Sequence, residues 1–188
     1  MTQEIEIEYK NLLTKEEFDR LLYNLPFPEQ SKTQTNYYFE TKDYALKNMG
    51  SALRIREKDG AYQLTLKEPH DDGLLETHDS LTKKEAADWF QGAISPKPNT
   101  TKQLRAKGVS PDSLHYYGNL TTKRRETAYN DALIVLDFST FNGKEDYELE
   151  VEASSKKIGI HVFESLLAAH DIQRRNTPNK IERFFRTI

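Results

Sequence analysis

The chain has 188 residues, a formal net charge of −3 and no cysteine. This length fits one domain or two small ones, and the lack of cysteine excludes disulfides, thiol catalysis and zinc–thiolate sites. Hydrophobic residues make up 36% of the chain and charged residues 30%, so we expect a packed core rather than disorder. No apolar run approaches the roughly 20 residues of a membrane span, and the acidic N-terminus is unlike a signal peptide. We therefore expect a cytoplasmic protein with a single domain over residues 1–188.

The first half of the chain alternates predicted strands with two capped helices. Residues 4–10, EIEIEYK, alternate charged and apolar side chains, which is typical of a strand. A helix is predicted after Thr14 and another after Thr82, because each threonine is followed three residues later by a glutamate in the capping-box pattern. Further strands are predicted at 35–41, 51–58, 61–68 and 74–80, and Asp59-Gly60 forms the turn of a hairpin.

The second half begins with the least regular segment, residues 92–118, which hold three of the seven prolines. We expect only short helices and loops there. Strands are predicted at 120–129, 131–141 and 146–153, followed by a helix over 156–170 and a short helix in the tail. Together these elements predict the α+β class, with six to eight mostly antiparallel strands and three or four helices.

Five of the predicted strands carry charged faces, each of nearly one sign. The basic positions are Lys10, Arg54, Arg56, Lys58, Lys67, Lys123 and Arg125, and the acidic positions are Glu4, Glu6, Glu8, Glu76, Asp137, Glu148, Glu150 and Glu152. This assignment leaves Arg124 on the apolar face of its strand. A uniform sign is unfavourable on an exposed sheet, because like charges on neighbouring strands repel. Inside a barrel, acidic strands can instead face basic strands across a cavity.

The mixture of charges indicates the ligand of such a cavity. Clustered carboxylates without nearby histidine or cysteine suit the hard cations Mg²⁺ and Mn²⁺, and converging arginines and lysines suit a polyanion. A cavity that holds both is typical of a site for a metal–polyphosphate complex. For any one strand a solvated surface is the simpler interpretation, and the coincidence of five strands is what favours the cavity.

Glu6-Ile-Glu8-Tyr-Lys10 resembles the ExExK signature of the CYTH domain, the triphosphate tunnel metalloenzyme superfamily. The family's other elements follow in order: YYFET at 37–41 with Glu40 in place of the usual aspartate, GSALRIRE at 50–57, LTLK at 64–67, K-x-R at 123–125, an acidic run at 148–152, and Asn179-Lys180. This resemblance covers nearly the whole chain. It implies a closed, eight-stranded antiparallel β-barrel, a tunnel, with helices packed on the outside.

The resemblance also implies roles for individual residues. The expected metal ligands are Glu6, Glu8, Asp137, Glu148, Glu150 and Glu152, although the family uses only two acids of the last run and the sequence leaves open which two. The expected substrate-binding residues are Lys10, Arg54, Arg56, Lys67, Lys123, Arg125 and Lys180. The expected catalytic residues are Glu6, Glu8, Lys10 and Glu150, with Glu4 and Glu76 as further tunnel acids.

The activity that the resemblance implies is that of a triphosphatase, a phosphoric anhydride hydrolase dependent on Mg²⁺ or Mn²⁺, and we favour inorganic triphosphate as its substrate. The alternatives are a class IV-type adenylyl cyclase, a thiamine or nucleoside triphosphatase in the same tunnel, and a non-catalytic module that binds polyphosphate or nucleotide. The expected partner is a small polyanion rather than a membrane or nucleic acid, since there is no basic arm and the bases alternate with acids. Both a monomer and a homodimer fit the sequence.

Overall fold

A computed structural model describes residues 2–188, and its elements follow the predicted order. The strands are β1 (Gln3–Glu6), β2 (Glu8–Leu13), β3 (Lys32–Thr41), β4 (Ala52–Lys58), β5 (Ala61–His70), β6 (Gly73–Leu81), β7 (Leu114–Tyr129), β8 (Ala132–Phe141) and β9 (Lys144–Ala153). The helices are α1 (Lys15–Asn24), α2 (Ala45–Asn48), α3 (Lys83–Phe90), α4 (Pro98–Ala106), α5 (Lys156–Ala169) and α6 (Lys180–Phe185), with a 3₁₀ turn at Pro111–Ser113. In this part of the chain no helix has both the length and the apolar character that a membrane span requires.

The strands form one sheet in the order β1-β6-β5-β4-β3-β7-β8-β9-β2. Its hairpins are antiparallel, as is the β2–β9 pair, and the α+β class is confirmed. The closed eight-stranded barrel is wrong, because the sheet of residues 2–188 has nine strands and its hydrogen-bonded order has two ends. The reason is that the strand predicted at 4–10 is interrupted at Ile7. Its first part follows β6 in the sheet and its second part pairs with β9.

The chain divides into two compact units, each with its own hydrophobic core. The first unit comprises the chain up to Ile5 together with Gln34–Leu120, and the second comprises Glu6–Thr33 together with Thr121–Ile188. In the first core, strand residues pack against α2, α3 and α4, with Phe39, Leu53, Ile55, Leu66, Leu46, Trp89 and Leu104 fully buried. In the second, Ile134, Leu136, Leu149 and Val151 pack against Phe18 and Leu21 of α1 and Phe163 and Leu166 of α5. The single domain over residues 1–188 stays a prediction.

The local signals explain where the helices begin. Both predicted capping boxes are present, at Thr14 with Glu17 and at Thr82 with Glu85. The α4 helix was not predicted as such, because its N-terminus has no local cap. Its first turn is held by Asp79 of β6 instead, whose Oδ2 accepts hydrogen bonds from the backbone N–H of Thr100 at 2.7 Å and from its hydroxyl at 2.8 Å.

Glu40 has a structural role at the end of β3. Its carboxylate accepts hydrogen bonds from the backbone N–H groups of Thr41, Leu46 and Lys47 at 2.8, 3.0 and 2.9 Å. The bonds from Leu46 and Lys47 satisfy donors of the short α2 helix that would otherwise lack acceptors. Glu40 therefore holds the first turn of this helix.

Gly159 in α5 leaves room for the ring of Tyr9 in β2. A Cβ atom at this position would lie 2.7 Å from Cε2 of Tyr9 and 3.3 Å from Cβ of Ala153. The Tyr9 ring is stacked on Phe163, with 5.9 Å between centroids, and its hydroxyl donates to the carbonyl of Lys156 at 3.3 Å. The ring therefore cannot move without losing these contacts.

We expect Gly159→Ala to lower the free energy of unfolding by about 1–3 kcal/mol, the usual cost of overpacking. The direction of the change is informative, because helix propensity alone would make the alanine variant more stable by about 1 kcal/mol. Ser165→Ala, at an exposed position of the same helix, is the matched control and should change stability by less than about 0.5 kcal/mol. Urea denaturation measures both variants, and a stabilised Gly159→Ala protein would show that the contact is not tight.

Candidate functional site

In the first unit, strands β3 to β6 bring basic and polar side chains onto one face. The paired rows across these strands are Asn36–Arg56–Gln63–Ser80 and Tyr38–Arg54–Thr65–His78, and Lys67 pairs with Glu76 in the next row. Paired residues of an antiparallel sheet share a face, and side chains two residues apart do so as well. The structure therefore brings together the predicted substrate-binding residues Arg54, Arg56 and Lys67, on the side opposite the core residues Leu53 and Ile55.

Two of the cations on this face, Arg54 and Lys67, contact the same buried carboxylate. An Oε1 atom of Glu76 lies 2.6 Å from Nζ of Lys67 and 3.8 Å from Nη2 of Arg54. The Nε atom of Arg54 is buried and finds no hydrogen-bond acceptor among residues 2–188. Because buried donors are nearly always paired, this atom indicates an acceptor that comes from outside the protein.

His78 connects the two predicted tunnel acids of this unit. Its Nε2 lies 3.0 Å from Oε1 of Glu4 and 3.4 Å from Oε2 of Glu76, and its Nδ1 is 2.9 Å from the hydroxyl of Thr65. The histidine and the two acids are close enough to hold a metal ion. However, direct contacts among them and the lysine beside Glu76 already provide partners, so they fit a hydrogen-bonded cluster better.

In the second unit, a buried network joins three carboxylates to the protein's own cations. Nζ of Lys180 in α6 lies 2.9 Å from Oδ2 of Asp137 and 2.5 Å from Oε1 of Glu148, and it also contacts Glu150. Arg124 of β7 donates two hydrogen bonds to Asp137, at 2.9 and 2.7 Å, and a third to Glu150 at 2.7 Å. These three acids, all predicted metal ligands, are therefore already neutralised by basic side chains.

The protonation states of the network follow from these contacts. Burial alone lowers the pKa of Lys180, but the neighbouring carboxylates hold this pKa well above its usual value. Burial raises the pKa of Glu148 to about 7. The pKa of Glu150 is well below its usual value, because Lys180 and Arg124 outweigh its burial. The network is thus a set of hydrogen-bonded ion pairs around a charged lysine.

A second acidic group consists of Glu6, Glu8 and Glu152. One carboxylate oxygen from each lies within 4.8 Å of those of the others, and Glu8 pairs with Glu152 across β2 and β9. Burial, followed by repulsion from Glu150 and Glu6, raises the pKa of Glu152 to about 7. The neighbouring cations therefore do not compensate the negative charge of this carboxylate. A set of carboxylate oxygens with uncompensated negative charge fits Mg²⁺ or Mn²⁺.

Lys10 lies between this group and the C-terminal segment. Its Nζ is 3.1 Å from Oε1 of Glu8 and also contacts the side-chain oxygen of Asn179. Asn179 directly precedes Lys180 in the chain. The predicted catalytic residues Glu8 and Lys10 are therefore in direct contact, and both lie on the same face of β2 as Glu152.

The structure reverses the predicted faces of β7. Lys123 pairs with Phe138 and Arg125 with Leu136, so both lie on the face of the hydrophobic core, and Arg125 donates to the carbonyl of Glu29 at 3.1 Å. Arg124 takes the position beside Asp137. Two anomalies of the sequence could have indicated this pairing: an isolated acid in an apolar strand and an arginine on a supposedly apolar face, since a buried carboxylate requires a cation.

Sequence reasoning also missed Arg183 of α6. Its Nε donates to Asp146 at 2.8 Å, and its Nη1 lies 2.6 Å from Oε2 of Glu148. Residues three apart on a helix are neighbours, and Lys180 and Arg183 both contact Glu148. The three-residue spacing of these two basic residues could have predicted that both lie on one face of the helix.

Comparisons with known proteins identify the family of this chain. The family model of the CYTH domain matches residues 4–185. This chain belongs to the CYTH domain family. It is 47% identical over 186 residues to a Bacillus subtilis protein named "Putative triphosphatase YjbK", which covers 98% of this chain and 96% of that protein. The predicted family resemblance is confirmed.

Two solved structures of CYTH proteins show the same fold. A Bacillus halodurans protein described as a "putative adenylate cyclase" is 42% identical, with a TM-score of 0.94, covering 98% of this chain and 100% of that one. A Hippeastrum protein, described as a "putative adenylyl cyclase" with "a dominant triphophatase activity", is 21% identical with a TM-score of 0.79, covering 97% and 96% of the two chains. At that identity the second match shows the fold alone.

In metal-free buffer we expect Glu152 to lower the stability of the protein as the pH rises from about 4.5 to about 7. The pKa of Glu152 is raised from 4.5 to about 7 in the folded protein. The unfolded chain therefore ionises first, and the folded state becomes relatively less stable until the folded carboxyl also ionises. Glu152→Gln should remove the loss of stability that Glu152 causes, and should raise the free energy of unfolding at pH 8 by about 1–3 kcal/mol.

Urea denaturation at pH 5 and pH 8 in the presence of a chelator measures this effect. Glu126→Gln, at an exposed position of β7, is the matched control and should leave the pH dependence unchanged. If Glu152→Gln behaves like this control, the carboxylate is not under electrostatic strain.

Proposed function

We propose that this protein is a divalent-metal-dependent triphosphatase that hydrolyses inorganic triphosphate. The observation that carries the proposal is the separation of charge between the two polar faces. The first unit has an excess of cations, including an arginine with a buried donor that lacks an acceptor. The second has Glu6, Glu8 and Glu152, whose charge fits a divalent cation. The name of the Bacillus subtilis relative supports a triphosphatase.

In such a reaction the basic residues would position the phosphates and stabilise their negative charge. Phosphoryl transfer needs mainly positioning and stabilisation of charge on the phosphate oxygens. Arg54, Arg56 and Lys67 offer fixed donors on one sheet face, and they would neutralise the charge that develops on the leaving diphosphate. When bound by Glu6, Glu8 and Glu152, Mg²⁺ or Mn²⁺ would supply further charge neutralisation and lower the pKa of water.

The remaining predicted residues fall into two groups in this proposal. Glu148, Glu150 and Asp137 hold Lys180 and would act by positioning it, rather than by binding metal. Lys123 and Arg125 receive no substrate role, because they lie on the other face of β7. The cytoplasmic location stays a prediction.

Glu8→Gln is expected to reduce phosphate release from inorganic triphosphate by at least about 100-fold, because it removes one charge from the proposed metal ligands. Glu6→Gln should have the same effect. Phosphate release is measured with Mg²⁺ and with Mn²⁺, and circular dichroism checks the fold. Glu126→Gln serves as the control with wild-type activity. Undiminished turnover in Glu6→Gln or Glu8→Gln would exclude this metal site.

An adenylyl cyclase is the second candidate, since the 42% identical Bacillus halodurans protein is described as a "putative adenylate cyclase". With ATP and either metal we expect ADP and phosphate, because Arg54, Arg56 and Lys67 recognise phosphate oxygens rather than a nucleoside. Anion-exchange chromatography separates these products from cyclic AMP and diphosphate. Formation of cyclic AMP would replace our proposal with the cyclase.

Phosphate release also distinguishes the proposed enzyme from a thiamine triphosphatase and from a non-catalytic module. Faster release from thiamine triphosphate than from inorganic triphosphate would identify a thiamine triphosphatase. Tight binding of triphosphate without phosphate release, at any divalent metal, would identify a non-catalytic binding module.

A further inference from the structure

Asn36 of β3 lies on the polar face of the first unit and has an unusual environment. The residue is 1% exposed, and strand pairing places it beside Arg56 of β4. It is followed two residues later by Tyr38, which pairs with Arg54. No motif of the sequence assigns a role to this asparagine, which lies just before the YYFET element.

The hydrogen bonds of Asn36 determine the orientation of its amide. Nε of Arg56 donates to Oδ1 of Asn36 at 2.9 Å. Because a guanidinium can only donate, the atom that it contacts must be the amide oxygen. The Nδ2 group is therefore the other end of the amide, and it finds no hydrogen-bond acceptor among residues 2–188.

A buried amide donor without an acceptor is rare, because desolvation without a compensating hydrogen bond is unfavourable. Nδ2 of Asn36 and Nε of Arg54 both lack an acceptor on the same face, within the part of the chain that the structure describes. Neighbouring cations on that face attract an anion, and phosphate oxygens can accept hydrogen bonds from both donors. The two orphaned donors thus point to the same ligand class.

We propose that Asn36 is a substrate-binding residue, which donates from Nδ2 to an oxygen of the phosphate chain and orients Arg56 through Oδ1. This inference rests on the proposed function and deepens it, since it adds a neutral donor to the charged residues that the family motifs indicate. A neutral amide contributes the same hydrogen bond at every pH at which the enzyme is folded.

Asn36→Asp tests the donor, because aspartate has nearly the same shape and keeps an acceptor for Arg56 but replaces the N–H group with an oxygen. We expect the KM for inorganic triphosphate to rise by about tenfold or more, with a smaller change in kcat. Gln63→Glu is the matched control. It makes the same chemical change on the other side of Arg56, at an exposed position, and should change KM by less than about threefold.

Asn36→Leu separates substrate binding from the positioning of Arg56. If Asn36 only positions the guanidinium, Asn36→Asp will bind substrate like the wild type and Asn36→Leu will not. This result, or a KM for Asn36→Asp equal to that of Gln63→Glu, would overturn the proposal and leave Nδ2 with water as its partner.

A double-mutant cycle covers the case in which Asn36→Asp does not fold. In an Arg56→Leu background, Asn36→Leu should raise KM further if Asn36 contacts the substrate, and should have no effect if it acts only through Arg56. If the wild type binds triphosphate without releasing phosphate, the proposed function fails, and the same variants are then compared by calorimetric titration with inorganic triphosphate. Equal affinities of wild type and Asn36→Asp would refute the Asn36 assignment independently.

Discussion

The buried ion network of the second unit is the constraint on which its other charged groups depend. Asp137, Glu148 and Glu150 are almost completely buried, and carboxylates in such a place require cations. Lys180 and Arg124 supply them from α6 and β7. Loss of one partner from such a network typically costs about 3–5 kcal/mol. The network connects the C-terminal helix to the strands. Its three acids were predicted from the sequence as metal ligands, and here they form ion pairs with basic side chains instead.

The charge balance of the other acids and of the basic face depends on which charged side chains lie beside them. Glu152 lies two residues beyond Glu150 on the same face of β9, where burial and repulsion from neighbouring acids raise its pKa. In the first unit, Arg54 and Lys67 both contact the carboxylate of Glu76. The distribution of partners therefore distinguishes these polar faces more clearly than the number of charges does.

The period-two alternation of strands predicted most of the fold and part of the candidate site. It was sufficient at Arg54 and Arg56 and along 148–152, because those strands are regular and one face packs in a core. It was wrong for β7, where neither face is strongly apolar and only the pairing with Asp137 decides the orientation. The strand at 4–10 was correctly located, but its interruption at Ile7 depends on two different neighbours in the sheet. The role of Asn36 could not be predicted, since it follows from one unpaired atom.

The α+β class, the order of the elements, the family and the residue types available for binding metal and phosphate can all be read from the amino-acid sequence. These properties depend on local periodicity, capping and motif order, which are visible along the chain. Which carboxylates are neutralised by Lys180 and Arg124 became known only from the folded molecule. That outcome depends on contacts between residues 13 to 43 positions apart, and the packing of strands and helices, rather than the local pattern, sets such contacts.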